Sequence, residues 1–267
     1  MWRSLHSGSE RTGTGMNGAN KGRPPVLVIA ATDSSGGAGI TRDVRVLTDF
    51  ANDALCVITA VTAQSDSRMT AVHHVPPEVI RAQIGAALET RNVGAIKIGM
   101  LGTGATVEAV VDSLPKNLAI PIVLDPVLVS SSGGILLDVG GREAMRKYLF
   151  PRATLVTPNV PEAATLLDEE IGTSERVLIE QARRLLALGP HAVLLKGGHM
   201  GGQEAVDLLV SESHGPQRIG SARLTAARRG TGCALASAIA AGLVSDLSLF
   251  KACQQAKRYV VRMLKNS

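Results

Sequence analysis

The chain alternates between short apolar runs and longer amphipathic stretches from residue 26 to residue 264. The short runs predict buried strands, and apolar residues spaced three and four positions apart predict helices. We predict strands at residues 26–31, 54–61, 95–98, 121–124, 153–156 and 191–195, followed by a hairpin of edge strands at 205–210 and 216–224. Helices are predicted at residues 40–50, 77–90, 105–114, 141–148, from 161, at 175–188, 231–243 and 247–264.

This alternation predicts an α/β fold in which a mostly parallel central sheet carries helices on both faces. No internal repeat is evident, and the breaks in composition at residues 23–25 and 211–215 do not divide the body of the chain. We therefore expect residues 25–267 to form a single domain. Residues 1–24 are rich in Gly, Ser, Thr and Asn, and they predict a disordered basic tail.

Polar side chains stand just past the ends of successive predicted strands. These positions are Asp33, Gln64, Met100, Asp125, Asn159 and Lys196, and all but Met100 are polar or charged. Because ligands bind beyond the carboxyl ends of parallel strands, we expect the six residues to converge on one edge of the sheet.

Each strand-end residue also has an ordinary structural explanation. Asp33 could form a side-chain turn, Asn159 could cap the next helix, and Asp125 precedes a proline, as turn residues often do. Lys196 could be a solvated surface charge. The convergence of all six favours a binding site over separate structural roles.

A glycine-flanked turn, Gly230-Thr231-Gly232-Cys233, leads directly into an apolar helix. Glycine permits positive φ and a close approach of the backbone to a ligand. The first N–H groups of the helix lack intrahelical partners and coincide with the positive end of its dipole, which predicts an anion site. A thiol in that position loses its proton more easily, so we expect Cys233 to be a base or nucleophile. The alternative is a small core cysteine after a common structural turn.

Composition excludes several classes of protein. The net charge of +5 includes +3 from residues 1–24, so the body carries only +2, and six aromatic residues are too few for a base-stacking platform. We therefore expect no nucleic-acid partner. Three widely spaced cysteines form no disulfide or zinc pattern, which favours a reducing, cytoplasmic location. No apolar run reaches the length of a membrane span, so we expect no membrane association.

The candidate residues together suit phosphoryl transfer, which needs positioning and charge neutralisation more than covalent steps. The helix-end turn would hold the charge on the transferred oxygens, and Lys196 would contact nucleotide phosphates. Asp125 and Glu162 would hold Mg²⁺, partly through waters. The chain lacks both the Gly-x₄-Gly-Lys-Ser/Thr pattern of P-loop enzymes and a Gly-x-Gly-x-x-Gly pattern after its first strand.

Seven stretches in this order resemble the ribokinase superfamily, most closely the hydroxymethylpyrimidine/phosphomethylpyrimidine kinases of thiamine biosynthesis. They cover much of residues 26–245, and they are Thr32-Asp33-Ser34-Ser35-Gly36-Gly37-Ala38-Gly39-Ile40, Val57-Ile58-Thr59-Ala60-Val61-Thr62-Ala63-Gln64, Lys97-Ile98-Gly99-Met100-Leu101, Val123-Leu124-Asp125-Pro126-Val127, Thr157-Pro158-Asn159-Val160-Pro161-Glu162-Ala163, Leu195-Lys196-Gly197-Gly198-His199 and Gly230-Thr231-Gly232-Cys233.

The resemblance implies a ribokinase-like fold and two ATP-dependent phosphorylations, first of 4-amino-5-hydroxymethyl-2-methylpyrimidine and then of its monophosphate. It implies that Asp43 and Gln64 hydrogen-bond the aminopyrimidine, that Met100 packs on the ring and that Cys233 is the base of the first step. Lys196 and Asn159 would bind ATP, and residues 130–134 would form a flap over the site. The resemblance also suggests a homodimer.

The chain departs from the family pattern at four positions. Ala31 replaces a usual Gly near the expected substrate, Ser65 a usual Asn, Thr41 a usual Gln, and Arg229 a usual His. The methyl group of Ala31 would narrow the pocket, and Arg229 would either aid phosphate binding or be solvated. Two alternatives stay open: a pyridoxal or pyridoxine kinase, and a non-catalytic paralogue that retains the pyrimidine pocket.

Overall fold

The computed structural model describes residues 23–65, 68–116, 119–130, 133–198, 202–224 and 229–266. Within these residues nine strands form one sheet: β1 Val26–Asp33, β2 Ala54–Gln64, β3 Met69–His74, β4 Ala95–Ile98, β5 Ile122–Leu124, β6 Leu155–Val156, β7 Ala192–Leu195, β8 Glu204–Ser211 and β9 His214–Ala222. Their order is β3-β2-β1-β4-β5-β6-β7-β8-β9. The six strands from β2 to β7 in this order are parallel, while β3 and β8 run antiparallel to their neighbours.

Helices cover both faces of the sheet, as the alternation predicts. They are α1 Gly39–Asp49, α2 Pro77–Thr90, α3 Gly104–Ser113, α4 Val139–Ala144, α5 Val160–Leu167, α6 Glu175–Leu186, α7 Thr231–Val244 and α8 Leu249–Lys265. One hydrophobic core lies under α2 to α6. A second core lies under α1, α7 and α8.

The first strand shows why the buried runs contain so few polar residues. Leu27 and Ile29 enter the core beneath α2 to α6, whereas Val26, Val28 and Ala30 enter the core beneath α1, α7 and α8. Alternate side chains of a strand point to opposite faces, so a central strand covered on both sides must be apolar throughout.

Local capping fixes where several helices begin. Thr103, Asp138 and Ser174 each accept a hydrogen bond from a backbone N–H in the first turn of α3, α4 and α6. Such caps satisfy donors that the helix itself leaves open. These three caps therefore fix the residues at which α3, α4 and α6 begin.

Two features differ from the sequence-based expectation. Residues 64 and 65 were expected in a loop, but Gln64 ends β2, and the unpredicted strand β3 pairs with it. β3 alternates poorly because it is a largely exposed edge strand. The helix expected at 141–148 instead continues from α4 into a π-helical segment Met145–Leu149 and a 3-10 turn Phe150–Arg152.

The strand order places a crevice at the carboxyl edge of the sheet. In the sheet, β2 lies on one side of β1 and β4 lies on the other. The connections to these two neighbours therefore diverge at the carboxyl end of β1. Such a switch point is where α/β sheets bind ligands. The predicted tail, apart from residues 23 and 24, lies outside the described residues, as do His199 and two residues of the predicted flap.

Candidate active site

A cavity of about 800 Å³ opens at the carboxyl edge of the sheet. Its lining includes all six strand-end residues singled out from the sequence: Asp33, Gln64, Met100, Asp125, Asn159 and Lys196. The expected convergence is confirmed. Its volume lies within the range of about 300–1,000 Å³ that is usual for a small-molecule site.

A cluster of one lysine and two carboxylates lies at the centre of the cavity. Nζ of Lys196 donates to Oδ1 of Asp125 at 2.8 Å and lies 3.9 Å from Oε2 of Glu162. The hydroxyl of Thr157 donates to the same Oδ1 at 3.1 Å. Lys196 is therefore a partly buried, paired cation rather than a solvated surface charge.

Glu162 is held by a reciprocal cap at the start of α5. Its Oε2 accepts from the backbone N–H of Asn159 at 2.8 Å, and its own N–H donates to Oδ1 of Asn159 at 2.8 Å. Burial raises the pKa of Glu162 to about 7, with Asp125 adding to the rise and Lys196 opposing it. Asn159 thus serves as a helix cap, while it also lines the cavity. This carboxyl titrates near neutral pH.

The turn before α7 faces this cluster. Gly230 has φ of +76°, and a side chain there would collide with the carbonyl of Gly37. A Cβ at Gly232 would lie 3.3 Å from both Oδ2 of Asp125 and Nζ of Lys196. The backbone at the start of the helix therefore approaches the charged cluster closely, and Thr231 and Cys233 line the same cavity.

The expected low pKa of Cys233 is wrong. Burial raises the pKa of the thiol to about 11, and the charges of Asp43 and Asp125 add to the rise. Lys97 and the backbone N–H of Gly39 act in the opposite direction without overcoming it. The loss of solvent therefore outweighs the groups that favour the thiolate.

Three of the four residues expected to bind the substrate line the cavity. Ala31, Gln64 and Met100 line it, but Asp43 does not. The Asp43 side chain is fully buried, with Oδ2 accepting from Lys97 at 2.7 Å and Oδ1 from Ser237 at 2.8 Å. In this structure both carboxylate oxygens are bound internally, so the expected hydrogen bond from Asp43 to a pyrimidine does not fit.

The sequence analysis did not single out several charged residues that line the cavity, among them Lys97, Asp207 and Lys257. Lys97 interrupts the otherwise apolar β4, and that interruption was the available signal. Lys257 on α8 donates to Oδ2 of Asp207 on β8 at 2.8 Å, and Oδ1 of Asp207 accepts from the N–H of Gly197. The second pair could not be found by spacing, because its members lie 50 residues apart.

The donor set of the cavity fits Mg²⁺. No group of three or more His, Cys, Asp or Glu residues able to hold a metal occurs among the described residues. Asp125 and Glu162 supply two carboxylates beside one lysine. Mg²⁺ bound together with a nucleotide commonly uses only one or two carboxylates, with waters and phosphate oxygens completing its shell.

The phosphomethylpyrimidine kinase family model matches residues 33–267. The chain belongs to the phosphomethylpyrimidine kinase family. A hydroxymethylpyrimidine/phosphomethylpyrimidine kinase of Rhizobium meliloti is 40% identical over 235 residues, which is 88% of either chain. One from Streptomyces coelicolor is 40% identical over 240 residues, covering 89% of this chain and 87% of the relative.

Solved structures of kinases share the fold of this family member. A phosphomethylpyrimidine kinase from Clostridium difficile superposes with a TM-score of 0.79 at 34% identity, covering 90% of this chain and 99% of that one. A pyridoxal kinase from Staphylococcus aureus, in complex with pyridoxal, gives 0.83 at 29% identity, covering 91% and 88%. The fold is therefore ribokinase-like, and this member of the family is a kinase. In the described residues, every helix is too short or too polar to span a membrane.

Proposed function

We propose that this kinase transfers the γ-phosphoryl group of ATP to 4-amino-5-hydroxymethyl-2-methylpyrimidine, and then to the resulting monophosphate, in thiamine biosynthesis. The observation that carries the proposal is the meeting of Lys196, Asp125 and Glu162 with the glycine turn before α7 in one cavity. The relatives described above carry the name of this activity.

ATP would occupy the part of the cavity between β7, β8 and α8. Apolar side chains of α8 line this part, among them Val260 and Leu264, and would suit an adenine ring. Its phosphates would extend towards Lys196 and the N–H groups at Thr231 to Cys233. Asp125 and Glu162 would hold Mg²⁺, which supplies positive charge to the phosphate oxygens.

The pyrimidine would occupy the opposite part, next to β1 and β2. Gln64 offers an amide carbonyl to an exocyclic amine, Met100 offers a polarisable side chain to the ring, and Ala31 limits the depth. The hydroxymethyl group would then point to Cys233 and the start of α7.

The two phosphorylations place different demands on Cys233. In the first, the substrate hydroxyl attacks the γ-phosphorus, the bond to the β-phosphate oxygen breaks, and the hydroxyl proton passes to the thiolate of Cys233. In the second, the attacking phosphate oxygen is already anionic and needs no base. A thiol with a pKa of about 11 is seldom ionised at neutral pH, so the first step should quicken as pH rises.

Pyridoxal phosphorylation is the second candidate function. The observation that favours it is the close superposition on the pyridoxal kinase from Staphylococcus aureus, whose TM-score of 0.83 exceeds the 0.79 of the phosphomethylpyrimidine kinase from Clostridium difficile. The relatives with higher sequence identity favour the pyrimidine.

The deciding experiment measures ADP release with Mg-ATP and three separate acceptors: the pyrimidine alcohol, its monophosphate and pyridoxal. We expect turnover of both pyrimidines and much slower turnover of pyridoxal. Fast turnover of pyridoxal alone would transfer the assignment to vitamin B6 salvage. Pyrimidine binding without ADP release would contradict catalysis and support the non-catalytic paralogue.

Two further expectations accompany this proposal. We propose a homodimer, which light scattering of the purified chain would test. We also propose a cytoplasmic location, in keeping with the supply of ATP that the reaction consumes, and fluorescence microscopy of a tagged chain would test it.

A further inference from the structure

Lys97 is a charged residue in the interior of the sheet. It lies on β4, with β1 on one side and β5 on the other, and its side chain has no exposed surface to bulk solvent. It nevertheless contributes to the lining of the active-site cavity. Lysine is almost never fully buried without a partner, because loss of solvent disfavours its charge strongly. The position therefore calls for an explanation beyond packing.

Asp43 and Ser237 hold this lysine in place. Nζ of Lys97 donates to Oδ2 of Asp43 on α1 at 2.7 Å, and Oγ of Ser237 on α7 donates to Oδ1 at 2.8 Å. Burial alone would lower the pKa of Lys97, but the charges of Asp43 and Asp125 raise it above its ordinary value. Lys97 therefore remains an ammonium ion inside the sheet.

The hydrogen bond from Ser237 ties this ion pair to α7, the helix that carries Cys233. Ser237 lies four residues after Cys233 on α7, so the two side chains stand on one face of the helix. Gly99 leaves room for the ammonium group, since a Cβ at this position would lie 2.8 Å from Nζ of Lys97. The pair of Lys97 and Asp43 is therefore joined through Ser237 to the face of α7 that carries Cys233, and Lys97 and Cys233 line the same cavity.

Several charged groups surround the thiol. Asp43 on α1 and Asp125 after β5 disfavour a thiolate, whereas Lys97 on β4 favours one, and Lys196 after β7 also interacts with Cys233. The backbone N–H of Gly39 also favours the thiolate. Because Asp43 opposes the thiolate while it holds Lys97, the two members of the ion pair act on Cys233 with opposite sign.

We propose that Lys97 is a positioning residue for the first phosphorylation, whose ammonium stabilises the thiolate of Cys233. The inference rests on the proposed function for its role in catalysis. The electrostatic effect on the thiol does not depend on any substrate. The thiolate so stabilised takes the hydroxyl proton when the oxygen bonds to phosphorus.

The test compares Lys97→Met with Asp43→Asn. Alkylation of Cys233 by iodoacetamide is followed from pH 7 to pH 11 by peptide mass mapping, which separates it from Cys56 and Cys253. We expect Lys97→Met to slow alkylation at pH 8 about tenfold, and Asp43→Asn to accelerate it several-fold, because opposite and like charges shift a pKa by about one unit or more. General loosening of the fold would instead change the rate of Cys233 alkylation in the same direction in both variants.

Lys257→Met in the other buried ion pair of the cavity is the matched control. It should leave the alkylation profile of Cys233 unchanged, since no charge of that pair acts on the thiol among the groups named above. A profile unchanged in Lys97→Met, or shifted alike in Lys97→Met and Asp43→Asn, would overturn the proposal. If Lys97→Met does not fold, Lys97→Gln replaces it, and an alkylation profile equal to that of the unaltered enzyme would overturn the proposal.

Kinetics then separate this inference from the proposed function. With the pyrimidine alcohol, Lys97→Met should lower kcat about tenfold at pH 8 and displace the pH profile upwards, while KM changes less than twofold. With the monophosphate, kcat should remain within about twofold. Equal losses in both steps would overturn the catalytic part. Absence of turnover in the unaltered enzyme would contradict the proposed function while the alkylation result still stands.

Discussion

Arg229 and Asp33 form a partly buried ion pair that joins the end of β1 to the turn before α7. Nη2 of Arg229 lies 3.0 Å from Oδ2 of Asp33, and Nη1 donates to the carbonyl of Ser65 at 2.6 Å. Asp33 in turn accepts from the N–H groups of Ser35 and Ala38. Arg229, expected from the sequence either to aid phosphate binding or to be solvated, is therefore a paired side chain at the edge of the cavity and not a solvated one.

Loss of this pair should destabilise the fold. We expect Arg229→Ala to lower the free energy of unfolding by about 1–3 kcal/mol, because Asp33 would keep a buried charge with one partner fewer. Arg218→Ala is the control. Its pair with Glu175 is about half exposed, with side-chain exposures of 55% and 43%, so its loss should cost no more than about 1 kcal/mol. Urea unfolding at neutral pH measures both, and equal losses would contradict the structural role of Arg229.

Gly232 allows the helix start to approach the charged cluster. A Cβ there would lie 3.3 Å from Asp125 and Lys196, so Gly232→Ala should displace these side chains by a few tenths of an ångström. We expect kcat with either pyrimidine to fall about tenfold or more, because catalysis depends on this positioning. The free energy of unfolding should change by less than about 1 kcal/mol.

Gly85→Ala is the matched control for Gly232→Ala. Both residues lie in helices, but a Cβ at Gly85 would have no atom within 4 Å. Alanine favours a helix interior, so this variant should gain about 0.5–1 kcal/mol and keep its activity. Unchanged kcat in Gly232→Ala would show that the close approach has no catalytic role.

The sequence predicted the edge of the sheet better than its interior charges. The strand-end residues were found because parallel strands end at a common edge, which pattern alone reveals. The raised pKa of Cys233 could not be predicted, because it depends on how deeply the helix start is buried and on which charges lie beneath it. The same limit applies to Asp43, whose internal partners Lys97 and Ser237 lie 54 and 194 residues away.

Cys233→Ala should separate the two phosphorylations. We expect kcat with the pyrimidine alcohol to fall by about 10²-fold or more, within the usual range for loss of a general base. With the monophosphate the loss should stay within a few-fold, since its attacking oxygen is already ionised. Below its pKa of about 11, the unaltered thiol should make the first step faster as pH rises, and the variant should lose that dependence.

The assay measures initial rates of ADP release for both acceptors between pH 7 and pH 10. Cys253→Ala is a thiol control, because that cysteine is buried in the core beneath α8 and outside the cavity lining. The Cys253→Ala variant should be less stable than the unaltered enzyme, but the ratio of its rates with the pyrimidine alcohol and the monophosphate should not change. Equal losses in both steps of Cys233→Ala would exclude a base that acts only in the first.

Glu162 should lower the stability of the fold at alkaline pH. Its pKa is raised from 4.5 to about 7, so the folded chain binds this proton more tightly than the unfolded chain. The resulting stability is present in full below pH 4.5 and is lost as pH rises through 7. Glu162→Gln removes the buried charge and keeps the size of the side chain, so it should exceed the unaltered enzyme in stability at pH 8 by up to about 3 kcal/mol, since each unit of pKa is worth about 1.4 kcal/mol.

Urea unfolding at pH 8 and at pH 5 tests this sign. The advantage of Glu162→Gln should shrink as pH falls towards 4.5, where the unfolded carboxyl also binds its proton. The exposed pair offers Glu175→Gln as a control, which should show no such trend. Activity of Glu162→Gln should fall although its stability rises. Glutamine is a poor Mg²⁺ ligand, so the KM for Mg-ATP should increase. If Glu162→Gln were instead destabilised equally at both pH values, the buried carboxylate would stabilise the fold through its hydrogen bonds. The predicted loss of stability from its burial at alkaline pH would then be wrong.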